Sequence, residues 1–451
     1  MAKKNKKSWV LWLDTAVVLL NLSTSYSIIP YLVFRQYDRY TNMIILFVLD
    51  ILYLLIRFYG NKKKKDKKEE VEKAEAPSHR RVKKGIKAST LLIGLYIAIS
   101  VMCILAGLLT GTGWKSALIY LSLNVVFFIL LKKLYVRYRK RYSVKESVFL
   151  LSRGYLILAS LSVLSSVLLF LMFKGGFNPY VNQITHRYDL FLDNSIRFDC
   201  EYYFPYHLGI LDVAPTGVRV PFFQEEGLLT GLYHEPHCQT FMVFPALFLL
   251  LFYSKAIWQK WIVGAAYVMI VLLSSSTTNI AALLVTLLVY LFYTFKSSLS
   301  KTGILLGIVV LLVLAVRSFV DLSFFDFIFN KVESGSMDYS MSTIDFALHP
   351  RTLLGTNFYN LAFVNSGSAA NSMDVGFITC LLNIAFLSSV LWCMFRLFKA
   401  KSELKLAVLL FAVYFFAHSA KVAMVAYSLT MLVFVFYLVA VISHTPDSVT
   451  Q

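Results

Sequence analysis

Twelve apolar runs divide this chain, and a polypeptide that must cover so much hydrocarbon-like surface has few folds open to it. They fall at residues 9–34, 43–59, 89–109, 117–131, 148–173, 240–253, 261–275, 279–295, 303–320, 376–397, 406–420 and 424–443. Most approach the roughly 17 to 25 residues that carry a helix across a bilayer. Backbone N–H and C=O groups find no water in lipid, so a spanning run that is not part of a closed barrel folds as a helix. The pattern therefore predicts an all-α polytopic membrane protein with about 12 transmembrane helices, the runs at 240–253 and 261–275 being short for the purpose. Composition agrees: 58% of the residues are hydrophobic, against roughly 45–50% apolar in a soluble domain even with Gly included.

A net charge of +19 raises the question of a nucleic-acid partner. The lysines and arginines argue against it, because most of the chain's 44 gather in short stretches between apolar runs: 3–7, 57–87, 132–145, 255–260, 296–301 and 396–405. These stretches alternate in phase with the runs, so the positive-inside rule puts both termini in the cytoplasm. Two long segments, 174–239 and 321–375, then face outward. The expected organisation is helices 1–2 in 1–60, a charged cytoplasmic linker at 61–88, helices 3–5 in 89–173, the large outer loop 174–239, helices 6–9 in 240–320, a second outer loop 321–375, and helices 10–12 with a short tail in 376–451. The linker, with Lys62 to Lys65 followed by Asp66 to Glu75 and no aromatic residue between them, cannot bury a core. Five cysteines make no metal spacing and no disulfide framework. The apolar run behind Met1 to Lys7 carries no small-residue cleavage site, so the first helix is expected to remain as an anchor.

The two outer segments concentrate the chemistry. The first closes in Gly231-Leu-Tyr233-His234-Glu235-Pro236-His237 directly against an apolar run, and two imidazoles and a carboxylate at a membrane boundary need partners. Arg219 stands upstream of it. The second carries His349-Pro-Arg351, then Gly355, Asn371 and Asp374, with Arg317 at the outer end of the preceding run. A guanidinium fork suits bidentate contact with phosphate or pyrophosphate, although Arg219 could equally pair with Glu225 or Glu226. His and Glu adjacent in a loop do not reproduce the i, i+4 face of a zinc helix, so no metal is assigned.

These segments bring a family into view. Arg219, the Gly231-x-Tyr-x-Glu235-Pro236 motif, Ser274-Ser-Ser-Thr-Thr-Asn279 in the second helix beyond it, Leu354-Gly355-Thr-Asn357 and Asp374-Val-Gly376-Phe-Ile378 together resemble the Wzy-type O-antigen and capsule polysaccharide polymerases, in the superfamily of the O-antigen ligases. The serine-rich helix start of that family often carries an arginine; this chain has Thr277-Thr278-Asn279 there. The resemblance implies a membrane glycosyltransferase that joins undecaprenyl-pyrophosphate-linked oligosaccharide repeat units on the outer face of a bacterial cytoplasmic membrane, without metal or other cofactor. On that reading Arg219, Arg351 and Arg317 hold the pyrophosphate leaving group. His349, Glu235 and His234 are candidates for the base on the acceptor hydroxyl. Tyr233, Asn371 and Asp374 contact sugar, an interfacial aromatic belt being the alternative for the tyrosine. Implied partners are the lipid-linked substrates, membrane lipids, a chain-length regulator and a flippase. A ligase would share the whole site. A transporter would need polar groups within the membrane, where the sequence offers Asp14, Asp50, His418 and Lys421.

Overall fold

The computed structural model describes residues 2–24, 27, 29–34, 39–59, 79–111, 114–174, 201–202, 209–212, 228–233, 236–274, 277–295, 303, 352–355, 376–421 and 429–450. The described chain is overwhelmingly helical. In order come α1 (Ala2–Ser23), α2 (Ile29–Phe34), α3 (Arg39–Leu54) running into one π turn (Leu55–Tyr59), α4 (His79–Thr110), α5 (Trp114–Arg139) and α6 (Val144–Lys174). After a small sheet follow α7 (Pro236–Val243), α8 (Ala246–Tyr253), α9 (Ile257–Ser274), α10 (Thr277–Thr294), α11 (Phe377–Phe398), α12 (Glu403–Lys421), α13 (Leu429–Ser443) and a terminal turn, α14 (Asp447–Thr450). Helix lies in every apolar run except 303–320, which falls outside the described residues but for Gly303.

Among the described residues, five helical stretches are long and apolar enough to cross a membrane: Thr41–Phe58, Lys84–Thr110, Ala117–Arg139, Val144–Leu168 and Phe377–Phe398. Shorter apolar helices accompany them. Their outward faces carry bare hydrocarbon and indole, Trp261 at 74% exposure and Leu391 at 63% among them, as side chains that face lipid do. The centre is α13, buried on all sides from Met431 to Ile442 and packed by α4, α5, α11 and α12. A helix apolar all round has no wet face to offer and goes to the middle.

Three expectations change. The run at 9–34 is two helices, because Ser23, Thr24 and Ser27 spend their hydroxyls on local backbone (Thr24 Oγ1 to Asn21 O, 2.6 Å; Ile29 N to Ser27 Oγ, 3.1 Å) and so offer the chain a turn. The linker expected over 61–88 is helical from His79 onward, where α4 begins; Arg80, Arg81, Lys83 and Lys84 are good helix formers whose charge only hides them from a hydropathy count. Inside the otherwise helical chain, the segment 174–239 contributes a three-stranded antiparallel sheet, β1 (Glu201–Tyr202), β2 (Gly209–Asp212) and β3 (Leu228–Gly231), in the order β1-β2-β3.

The short basic turns gather at one end of the bundle. Arg137 at the end of α5 donates to the carbonyl of Arg57 at the end of α3 (3.3 Å), Tyr253 at the end of α8 to that of Lys145 (3.0 Å), and Tyr293 at the end of α10 to that of Ala400 (2.6 Å). At this end α6 starts on a reciprocal cap: Ser143 Oγ accepts from the Glu146 N–H (3.2 Å) while Glu146 Oε2 accepts from the Ser143 N–H (3.0 Å).

Candidate functional site

The motif at Gly231 leads from β3 into α7. Gly231 has φ +59°, and a Cβ there would stand 2.5 Å from Gln239 Nε2 and 2.7 Å from both Ser162 Oγ and Ser166 Oγ. The backbone is thus pressed into a polar niche that only glycine permits. Ser162 Oγ accepts from the Leu232 N–H (3.3 Å), and Gln239 Nε2 donates to Ser166 Oγ (2.5 Å). Gln239 Oε1, fully buried, accepts no hydrogen bond among the described residues. Tyr233 forms an isolated antiparallel bridge with Ser27, and its ring is covered by the core at 1% exposure. Pro236 then opens α7, a position whose N–H would have had no helical partner, with His237 next in the helix.

The run expected as one helix over 240–253 breaks at Phe244-Pro245, because proline cannot donate to the preceding turn. Leu247 N turns to Phe244 O (3.0 Å) and Phe248 N to Pro245 O (3.3 Å). The carbonyls of Met242 and Val243, lying at the break, are taken by tyrosine hydroxyls instead: Tyr155 of α6 donates to Met242 O (2.7 Å) and Tyr267 of α9 to Val243 O (3.3 Å). In an apolar interior each such carbonyl left unpaired would cost about 1–3 kcal/mol.

α12 holds the other side of α7. His418 Nε2 lies 3.2 Å from Thr240 Oγ1, with its ring 5.3 Å from that of Phe241 and 5.8 Å from that of Tyr414. Tyr414 Oη donates to Oδ1 of Asn279 in the first turn of α10 and stands 3.4 Å from the carbonyl of Thr240. Gln239, Thr240, His418 and Asn279 are all fully buried. α7, which follows the Gly231 motif, and Asn279, the last residue of the serine-rich stretch, therefore meet across Tyr414.

The second motif pair also meets. The turn at 352–355 lies over the start of α11: Thr352 O accepts from the Phe377 N–H (2.8 Å) and Leu353 O from the Ile378 N–H (3.3 Å), supplying partners for first-turn donors. Gly376, φ +77°, leaves no room for a Cβ, which would sit 2.5 Å from Gly355 N. Because α11 and α12 are joined by residues 399–402 alone and run antiparallel, this turn and His418 stand at the same end of the bundle, opposite the basic turns. No hydrogen bond among the described residues joins the 352–355 turn to the α7 cluster.

Of the residues predicted from sequence, Tyr233 is described as above. His234, Glu235, Arg219, Arg317, His349, Arg351, Asn371 and Asp374 lie outside the described residues. Sequence reasoning missed Gln239, Thr240, Tyr414, Ser162 and Ser166, had Asn279 only as part of the serine-rich motif, and took His418 only as a transporter candidate. The signal was there for the serines, which stand at i, i+4 on one face of an apolar run.

The opposite end holds a buried ionic cluster. Asp14, 1% exposed, accepts at Oδ1 from Tyr53 Oη and from Arg57 Nε (3.1 Å), and at Oδ2 from Arg57 Nη2 (3.2 Å) and Tyr138 Oη (2.9 Å). The π turn at the end of α3 carries Arg57 into place. Arg153 of α6 braces the same stretch of α1, donating to Thr15 Oγ1 (2.7 Å) and Leu11 O (2.6 Å) across the ring of Trp12 (4.3 Å). No known protein family, curated protein or solved structure matches this chain.

Proposed function

We propose that the protein is a polysaccharide polymerase that extends a polyprenyl-pyrophosphate-linked glycan by one repeat unit at a time on the outer face of a bacterial cytoplasmic membrane. The observation that carries this reading is the meeting of α7, which Pro236 of the Gly231 motif opens, with Asn279 of the 274–279 segment, through Thr240 and Tyr414. Both motifs are among those on which the resemblance rests. A sugar pyrophosphate is already a good leaving group, so the demand on the enzyme is to neutralise the charge that develops on it; Arg219, Arg351 and Arg317 are assigned to that task. His349 or Glu235, with His234 beside it, takes the proton of the acceptor hydroxyl, and Asn371 and Asp374 contact the sugar. The chain then has about twelve spanning helices and both termini in the cytoplasm, so that single cysteines at Ser78 and Asn194 label from opposite sides with an impermeant maleimide.

The test is a gel of lipid-linked glycan from cells with and without the gene. A ladder that collapses to one repeat in the deletion strain supports polymerase, whereas accumulation of long lipid-linked chains makes the protein a ligase. Arg219→Lys keeps charge but loses the fork and should abolish the ladder at normal expression. His349→Ala should slow extension by about 10² to 10⁴ while donor still binds. Full-length polymer from both variants overturns the assignment.

A further inference from the structure

Asp50 and Asn21 meet between α3 and α1, both buried, at 1% and 0% exposure. Asp50 sits within the apolar stretch Thr41–Phe58. Asn21 Nδ2 donates to Asp50 Oδ1 (2.9 Å) and to the carbonyl of Val17 (3.0 Å). The other oxygen of each group, Asp50 Oδ2 and Asn21 Oδ1, is buried without a hydrogen-bond partner among the described residues.

Described cations on the neighbouring helices are engaged elsewhere. On α3, Arg57 and Tyr53 are bound to Asp14 of α1, as is Tyr138 of α5. Arg137 of α5 donates to the Arg57 carbonyl, Arg139 to the Tyr142 carbonyl and Lys132 to Thr90 Oγ1, and Lys115 lies over the Trp114 ring. α2 carries no charged residue, and among the described residues no cationic side chain bonds to Asp50. An ionised carboxylate at this depth, with one neutral amide for company, would cost several kcal/mol. A single proton removes both vacancies at once: on Asp50 Oδ2 it donates to Asn21 Oδ1, while the Asn21 amide donates back to Asp50 Oδ1, and acid and amide close a two-bond ring.

We infer that Asp50 is a proton-binding site, held as a neutral carboxylic acid against the Asn21 amide, and that it is the carboxyl a membrane-soluble carbodiimide modifies in this protein. The reaction needs the proton. The acid O–H adds across one C=N bond of dicyclohexylcarbodiimide, the carboxyl oxygen bonding to the central carbon and the proton passing to nitrogen. Acyl transfer from oxygen to nitrogen then leaves a stable N-acylurea that retains every atom of the reagent. Asp14, both of whose oxygens are enclosed by four donor atoms of Tyr53, Arg57 and Tyr138, should be inert.

The full chain in native membranes is treated with dicyclohexylcarbodiimide at neutral pH, digested and mapped by mass spectrometry. A gain of one whole reagent molecule is expected on the peptide bearing Asp50 and none on that bearing Asp14. Asp50→Asn preserves a neutral group able to pair with Asn21, so it should express normally and lose the adduct completely. An unlabelled Asp50, labelling at Asp14 in its place, an adduct that survives Asp50→Asn, or protection of Asp50 by sodium or potassium ions, which would make it an ionised cation site, each overturns the proposal.

Discussion

At one end of the bundle two tyrosines and an arginine close around the carboxylate of Asp14; at the other, the start of α7 is held by amides, hydroxyls and one imidazole. Both clusters are buried and both tie together helices far apart in sequence, but they do so with different chemistry. The Asp14 cluster uses full charges and fills the acceptor capacity of both oxygens, so it has nothing left to offer a ligand. The α7 cluster is built from groups that can rearrange their hydrogen bonds without stranding a charge, and Gln239 Oε1 remains open. A saturated ionic cage locks geometry; a neutral, incompletely satisfied one keeps the freedom to re-pair its hydrogen bonds.

The largest effect should come from the cage. Asp14→Asn keeps the shape and leaves the Arg57 guanidinium without its counter-charge, at a cost of roughly 3–5 kcal/mol. Thermal unfolding in detergent should show a markedly lowered midpoint, and a second change, Arg57→Met, should restore part of it. A variant as stable as the parent would break the contrast between the two ends. A smaller loss is expected from Thr240→Val, which deletes the hydroxyl facing His418 and costs about 1–3 kcal/mol, with Thr240→Ser close to the parent. If Thr240→Val destabilises more than Asp14→Asn, the neutral cluster is the true keystone of the fold.

The smallest effect belongs to the C-terminal turn, docked beside the basic end. Lys405 Nζ lies 2.6 Å from Asp447 Oδ1, and this hydrogen bond holds the Asp447 carboxyl below its ordinary value. Burial pushes His444 below its ordinary value too. Both shifts act with the same sign. The folded state takes up a proton less readily than the unfolded one, so stability is lost on acidification, through His444 as pH falls below about 6.5 and through Asp447 below about 3.8. Asp447 is 42% exposed, which limits its pair to under about 1 kcal/mol. The gap in unfolding midpoint between the parent and Asp447→Asn should be small at pH 7 and close as the pH falls below 3.8.

Where helices form was legible in the sequence because hydrophobic length is a local property. The places where they break were less so. Pro245 stands inside an apolar run that hydropathy alone joins into one span, and the start of α4 is written in charged helix formers that the same measure discards. The candidate site was legible as motifs, Gly231 to Pro236 and the 274–279 stretch, yet not as a constellation. Tyr414 and His418 lie within an apolar helix and acquire meaning only when α12 is laid against Thr240 and Asn279. A carboxylate in an apolar run signals a partner without naming it, which is why Asp14 and Asp50 looked alike in sequence and have opposite surroundings in the fold.

The gap at Pro245 also bears on how the chain is made. The carbonyls it releases are answered from both directions of synthesis, Met242 by Tyr155, which precedes it, and Val243 by Tyr267, which follows. α7 and α8, eight residues each, are too short to rest in lipid singly. When α7 leaves the ribosome the second of these tyrosines does not yet exist, so the Val243 carbonyl is answered only once α9 has been made.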